Sequence, residues 1–422
     1  MMRPSKVLMV VGRVCPLADA TSSIMYRVAD ELRGRYGVEI RFLGKMTREG
    51  AAGSYPTRYL KDEYRYYQTV SGELTNLEKL RRLALHPGCW PYRLRKELLR
   101  YPDWREYRRA LRAALREEPD IDCVICSEHP PDTAYAAGRA DLKVPLFVYK
   151  LDPWGTHYAW RGDPRYLREE LLTDSRCAAV FVTPEIREAY RSGPYRMPEE
   201  RVVPVDFPTL APPEGTGRAA FAEEGAVHCA FVGRFYPDIR TPDFLFELFR
   251  RLEGTGIVLH IVGNSVHEER AYRPGLPSNI RLHGQVPTGE AAAFMNAADV
   301  LVSVGNSIDD QTPSKIVEYI ARGKPILNIC KLPNCPTLRY TEKYPLALNI
   351  QEADGLAPET VERVRAFCRD RRTLSFEQVR ALYPECTPEY VGRQVYETLC
   401  RFLDRPRDGA PAETHRKGDT IV

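Results

Sequence analysis

The feature that most constrains this 422-residue chain is an alternation that occurs twice: short apolar runs of strand length, separated by stretches with helical periodicity. In the first half the runs are KVLMVVG, VEIRFLG, CVICS, LFVYK and AAVFVTP, closed by VVPVDFP; in the second they are CAFVGR, VLHIVG, IRLHG, VLVSVG and PILNI. Runs that are apolar throughout suit strands buried on both faces, the condition of a parallel sheet sandwiched between helices. Parallel strands need long crossovers, and the helical stretches supply them. The expected fold class is therefore α/β, with two Rossmann-like domains facing each other across a cleft.

The length supports the same division, because single hydrophobic cores stop growing at roughly 250–300 residues. Between Asp206 and Glu224 the sequence DFPTLAPPEGTGRAAFAEE is rich in Pro, Gly and small residues, as an interdomain linker is. The boundary is placed at Leu210, giving an N-terminal domain over 1–210 and a C-terminal domain over 211–385. A last helix over 386–404 is expected to cross back to the first domain. The tail over 405–422 has almost nothing apolar to bury and is expected to be disordered.

One stretch interrupts the first domain. From about Arg58 to Arg116 the chain carries 15 Lys and Arg against 7 acids, with Tyr and Trp interleaved at helical spacing, so a basic helical insertion is expected. Two readings stay open. The surface could rest peripherally on anionic headgroups, or it could be a solvated insertion whose aromatics pack on their own domain.

Several classes are set aside. No run approaches the roughly 20 apolar residues of a bilayer span, and the start MMRPSKVLMVVGRVCP lacks a secretory pattern, so a cytoplasmic place is expected. The 11 cysteines are scattered, several inside strand-like runs. Cys123 and Cys126 form a CxxC without a second pair at zinc-like spacing, and are read as core thiols in a reducing compartment. His260 and His283 are likewise read as core or surface histidines, and no metal is predicted. A net charge of +4 gives no reason to invoke nucleic acid.

The most specific string is SVGNSIDDQTPSKIVEYIARGKPIL. A strand leads into a polar loop, Thr312 is placed as N-cap with Pro313 at the first helical position, and the helix stops at Gly323. A helix N-terminus at the carboxyl end of a parallel sheet suits a phosphate or diphosphate. Asp310 and Glu318 flank that turn, and carboxylates accept from vicinal hydroxyls such as those of a ribose or hexose.

This string resembles the donor loop of retaining glycosyltransferases of the GT-B fold, especially family 4, in which an acid, seven residues and a Glu precede an apolar helix. The resemblance implies that Glu318 binds the donor ribose and Asp310 the hydroxyls of the transferred sugar. Asp310 stands where the family has Glu, and DQTPSK replaces a glycine-rich stretch. CAFVGRFYPDIRTPDFLFELFRRL matches a second family segment, in which a strand ends in Gly-Arg with Lys a few residues on. By that likeness Gly233 and Arg234 hold the donor phosphates and Arg240 stands in for the Lys. A third segment, LHIVGNS followed by NIRLHGQVPTGEAAAFMNAADVLVSVG, places Gly263 and Asn264 beside the diphosphate and the backbone of Gln285 and Val286 at the base.

On the acceptor side the resemblance is one of element order. Gly12 and Arg13 follow the first strand, with Thr21 or Ser22 read as a helix cap. His129 in CVICSEHPPDTAYAAG stands where the family often has a His near the reacting sugar. Asp152 and Trp154 in YKLDPWG would face the same cleft. The family implies attack on the face from which the phosphate leaves, with Thr312, Ser314 and Lys315 at the helix end beside Arg234 and Arg240. No cofactor is expected beyond a nucleotide-sugar donor, and the acceptor would be a glycan, lipid or small molecule. The expected product belongs to polysaccharide, glycolipid or glycosylated natural-product synthesis. Two alternatives keep the same fold: a nucleotide-sugar epimerase and a non-catalytic glycan-binding scaffold.

Overall fold

The computed structural model describes residues 3–14, 20–46, 57–61, 104–129, 131–151, 164–192, 195–213, 217–236, 239–263, 272–370 and 372–404. The tail over 405–422, and Asp152, Trp154 and Asn264, lie outside the described residues.

The first sheet holds β1 (Lys6–Arg13), β2 (Glu39–Met46), β3 (Thr57–Lys61), β4 (Cys123–Ser127), β5 (Leu146–Lys150), β6 (Ala179–Val182) and β7 (Val202–Pro204). Its order is β3-β2-β1-β4-β5-β6-β7, parallel throughout. The helices of this part are α1 (Ala20–Tyr36), α2 (Trp104–Glu117), α3 (Pro131–Gly138), α4 (Pro164–Arg176) and α5 (Pro184–Ser192). The second sheet holds β8 (Val227–Val232), β9 (Ile257–Val262), β10 (Ile280–Gly284), β11 (Val300–Val304), β12 (Ile326–Cys330) and β13 (Ala347–Gln351), in the order β10-β9-β8-β11-β12-β13 and again parallel. Its helices are α6 (Asp243–Arg251), α7 (Thr288–Ala297), α8 (Lys315–Ile320), α9 (Leu338–Thr341), α10 (Pro358–Cys368), α11 (Phe376–Leu382) and α12 (Pro388–Leu403).

This is the expected fold class: two Rossmann-like parallel sheets with helices on both faces. β4, β5, β6, β8, β9, β11 and β12 are buried along their whole length, which is why their sequences carry no polar alternation. Cys123 and Cys126 are core residues of β4, and burial pushes both thiols up in pKa. All nine described cysteines are buried, and no disulfide joins any of them.

Three local expectations need correcting. Each sheet has one more strand than the apolar runs predict: β3 opens the stretch read as a helical insertion from Arg58, and β13 follows PILNI. Both are edge strands, where one flank of the ladder is open and the sequence need not be apolar. Helix α1 begins at Ala20, so Thr21 and Ser22 lie inside its first turn and are not caps. Helix α8 begins at Lys315 with Ser314 at the N-cap, so Thr312 caps nothing and Pro313 precedes the helix. The stop at Gly323 holds: φ is +64°, and an added Cβ would sit 2.0 Å from the Leu374 carbonyl oxygen.

The two sheets are joined by packed contacts. Asp206, buried after β7, accepts from Arg339 Nη1 at 2.7 Å and from Tyr340 Oη at 2.6 Å, both on α9. Arg339 Nε also reaches Glu185 of α5 at 2.6 Å. Helix α12 lies against α1, with Tyr396 stacked on Tyr36 at a centroid distance of 3.9 Å.

Candidate functional site

Both sheets reverse their winding between neighbours, at β1/β4 in the first and β8/β11 in the second. At such a switch point the loops leave in opposite directions and open a crevice beyond the strand ends. In the second sheet the opening can be followed bond by bond. The ladder between β8 and β11 ends at Cys229 and Ala230 against Val300 and Leu301. Beyond it, Val232 N–H donates to Tyr319 Oη at 2.8 Å, and the same hydroxyl donates to Val232 O at 2.9 Å. Tyr319, buried in α8, thus takes the place of a ladder partner and wedges the two strands apart.

The cavity beyond this wedge has a volume of about 410 Å³. Its second-domain wall includes Val232, Gly233, Arg234, Arg240, Ser303 and residues 311–316; its first-domain wall includes Thr21, His129, Leu151 and Phe207. It therefore lies between the carboxyl ends of the two sheets.

Arg240 is held in place. Its Nε donates to Asn306 Oδ1 at 2.9 Å and its Nη1 to Arg234 O at 3.4 Å, while the guanidinium lies 5.6 Å from the Tyr236 ring centre. Asn306 is buried at the end of β11 and donates through Nδ2 to Gln311 O at 3.0 Å. Ser307 N–H donates to Ile239 O at 2.8 Å. The loop after β8 and the loop after β11 are thereby one unit, and the guanidinium reaches the cavity with its orientation fixed. Arg234 is exposed at the rim. Thr312 Oγ1 is buried with no hydrogen-bond partner among the described residues, and Thr312 lines the same cavity. A buried hydroxyl left so at a cavity wall is one that a ligand can satisfy.

Gly233, Arg234, Arg240, Thr312, Ser314, Lys315 and His129 are brought together on the cavity wall. Glu318 and Asp310 are not among the lining residues; Glu318 Oε2 accepts from Lys315 Nζ at 2.9 Å, and Asp310 is half-buried in the loop after β11. Gly263 contributes through its backbone. Its φ is +110°, and an added Cβ would stand 2.7 Å from Gly233 O, so this glycine lets β9 end against the cavity loop. Gln285 and Val286 follow β10, exposed and half-buried respectively. Gly12 is not at the cavity but inside β1, its carbonyl accepting from Tyr107 Oη of α2 at 2.8 Å. Arg13 ends β1.

Sequence reasoning missed Tyr319 and Asn306. Asn306 gave a signal, a lone amide directly after an apolar strand; Tyr319, inside KIVEYI, reads as an ordinary core residue.

Residues 226–336 match the family model described as glycosyl transferases group 1. That segment runs from β8 past the cavity loop. No curated protein matches the sequence. Among solved structures, the chain is similar to sucrose-phosphate synthase from Thermosynechococcus elongatus, with 15% identity, 94% of this chain and 99% of that one covered, and a TM-score of 0.64. It is similar also to WaaG, a glycosyltransferase involved in lipopolysaccharide biosynthesis, at 15% identity, 94% and 98% coverage and a TM-score of 0.52. A putative UDP-N-acetylglucosamine 2-epimerase from Listeria monocytogenes gives 12%, 99% and 100%, and 0.54. At these identities the likeness speaks for the fold, so the epimerase does not compete with the family match. Over residues 226–336 the chain matches the group 1 glycosyl transferase model, and its two-sheet architecture is the GT-B fold of these solved structures.

Proposed function

We propose that this chain is a glycosyltransferase that moves a sugar from a nucleotide-sugar donor to an acceptor hydroxyl with retention at the anomeric carbon. The observation that carries the reading is the cavity between the sheet ends, with Arg234, Arg240, Ser314 and Lys315 on one wall and His129 on the other. Its volume of about 410 Å³ is in the range of small-molecule sites.

In this reading the diphosphate lies against Arg234 and Arg240, with the Ser314 and Lys315 end of α8 and the Thr312 hydroxyl beside it. A helix of six residues has a small dipole, so the side chains carry more of the charge than a long helix would require. Glu318 takes the ribose hydroxyls once a phosphate draws Lys315 away from it. Asp310 takes hydroxyls of the transferred sugar, and the base lies along Gln285 and Val286, with Gly263 and Asn264 under the diphosphate. His129, Asp152 and Trp154 serve the acceptor side.

The acceptor oxygen bonds to the anomeric carbon on the face from which the phosphate oxygen departs, and the acceptor proton passes to that phosphate oxygen. The negative charge growing on the diphosphate is met by guanidinium and ammonium groups already in position. These cations serve the step without a cofactor. The product is a polysaccharide, a glycolipid or a glycosylated natural product made on the cytoplasmic side, with the basic stretch over 58–116 as a peripheral membrane contact. Among the described residues no helix is long and apolar enough to cross a membrane.

Incubation with UDP-, GDP- and dTDP-sugars, followed by donor-hydrolysis measurement and proton NMR of the product anomer, tests the reading. Release of sugar in the donor's own anomeric configuration is expected. An inverted anomer, or no turnover with any donor, would overturn it.

A further inference from the structure

A second cluster lies away from the cavity, where the segment between the domains meets the second sheet. His228 of β8, His260 of β9 and His283 of β10 form a diagonal row joined ring to ring. His228 Nδ1 is 3.0 Å from His260 Nε2, and His260 Nδ1 is 2.9 Å from His283 Nε2. His228 Nε2 lies 3.1 Å from the backbone oxygen of Glu223. His228 and His260 are buried, and His283 is exposed. Phe221 covers the rings of His228 and His260 at centroid distances of 4.2 and 4.1 Å, and Phe294 covers His283 at 4.4 Å.

The hydrogens of this row can be placed by elimination. A carbonyl only accepts, so His228 Nε2 carries hydrogen and its Nδ1 holds a lone pair. That lone pair accepts from His260 Nε2–H, and His260 Nδ1 in turn accepts from His283 Nε2–H. One ligand atom from each of Glu223, His228 and His260 lies within 4.8 Å of the others. Arg281 Nε holds Glu223 Oε1 at 2.7 Å, which leaves the second oxygen of that carboxylate for another partner.

We propose that Glu223, His228 and His260 form a binding site for a divalent cation of the zinc class, with His283 as its outer partner. Two imidazoles and a carboxylate are a zinc-type donor set, and a water completes four-coordination. The cation takes the place of the hydrogen now shared between His228 and His260. His228 already offers Nδ1, and its other nitrogen already donates to a carbonyl, as the outer hydrogen bond of a ligating histidine does. For His260 to ligate through Nε2, its hydrogen must move to Nδ1. That nitrogen then donates to His283 Nε2, and the hydrogen of His283 moves to its solvent-side Nδ1. The count of protons is unchanged, so ligation proceeds by a tautomer shift along the row and releases none. The site's effect is structural: it fastens the segment containing Phe221 and Glu223 to β8 and β9.

The test uses the full chain without an affinity tag, dialysed against a chelator and titrated with Zn2+ by calorimetry, with Co2+ absorption reporting coordination. Uptake of one ion per chain with tetrahedral Co2+ bands is expected. His283→Ala should weaken uptake about 10- to 100-fold through loss of the outer partner. Glu223→Gln and His228→Gln should weaken it further, with circular dichroism showing each folded. Absence of saturable uptake by the parent chain, or undiminished uptake by either folded ligand variant, would overturn the proposal.

Discussion

Replacing Tyr319 with Phe tests how the cleft is made. The ring is kept, so no cavity opens and the change is confined to one hydroxyl. That hydroxyl accepts from Val232 N–H at 2.8 Å and donates to Val232 O at 2.9 Å, inside a fully buried strand. Its removal leaves a buried N–H without an acceptor, at about 1–3 kcal/mol, and takes away a second bond worth about 0.5–1.5 kcal/mol net. The sum is about 1.5–4.5 kcal/mol. For a domain of this size each kcal/mol moves the melting midpoint by about 2–4 °C, so a fall of about 3–18 °C is expected by scanning fluorimetry. Urea unfolding should show the same loss with an unchanged slope. A midpoint within about 1 °C of the parent would refute the reasoning, because the strand ends would then be satisfied without Tyr319.

Arg240→Ala should weaken nucleoside diphosphate binding about 10- to 100-fold, the range for a lost charge-assisted hydrogen bond, and should also cost about 1–3 kcal/mol of stability, because the buried Asn306 Oδ1 loses its donor. Equal affinity by fluorescence titration would place the diphosphate elsewhere. Arg339→Met removes one partner of the buried Asp206 carboxylate and should destabilise the domain junction by up to about 3 kcal/mol, read from urea unfolding. No loss would mean that Tyr340 and the backbone suffice. With cations chelated, burial holds His260 neutral and pushes its pKa down to about 3, below its unfolded value of about 6.5. The unfolded chain therefore binds the extra proton first. This contribution is complete above pH 6.5 and is lost as pH falls toward 3, by about 1.4 kcal/mol per pH unit at most. His260→Phe should flatten that part of the stability profile, and an unchanged profile would contradict the assignment.

Much of the architecture was legible because burial writes itself into composition. Strands covered on both faces carry little polar alternation, as in the seven buried along their whole length, and eleven of the thirteen described strands coincide with apolar runs. The two that do not, β3 and β13, lie at sheet edges, where TRYLK and ALNIQ face no demand for continuous apolarity. The local turn chemistry around α8 misled for a different reason. Thr-Pro is a strong helix-start signal, but the chain spends Pro313 in the turn before the helix and leaves the Thr312 hydroxyl at the cavity wall. The candidate site divides in the same way. Arg234 and His129 were visible as charged or titratable residues just after strands, and Lys315 as the cation at a helix start. Tyr319 was not, since its role depends on where a ladder ends, a fact of pairing between strands some seventy residues apart. The histidine row was invisible for the same reason: His228, His260 and His283 meet only once β8, β9 and β10 are set side by side.

The central claim is that the crevice beyond β8 and β11 holds a nucleoside diphosphate whose ribose is taken by Glu318. Calorimetric titration of UDP, GDP and dTDP into the parent chain and into Glu318→Ala tests it most directly. The account predicts saturable one-to-one binding of at least one of the three, weakened at least about tenfold in the variant through loss of a charged acceptor. Failure of the folded parent to bind any of them, or equal affinity in the two proteins, would contradict it.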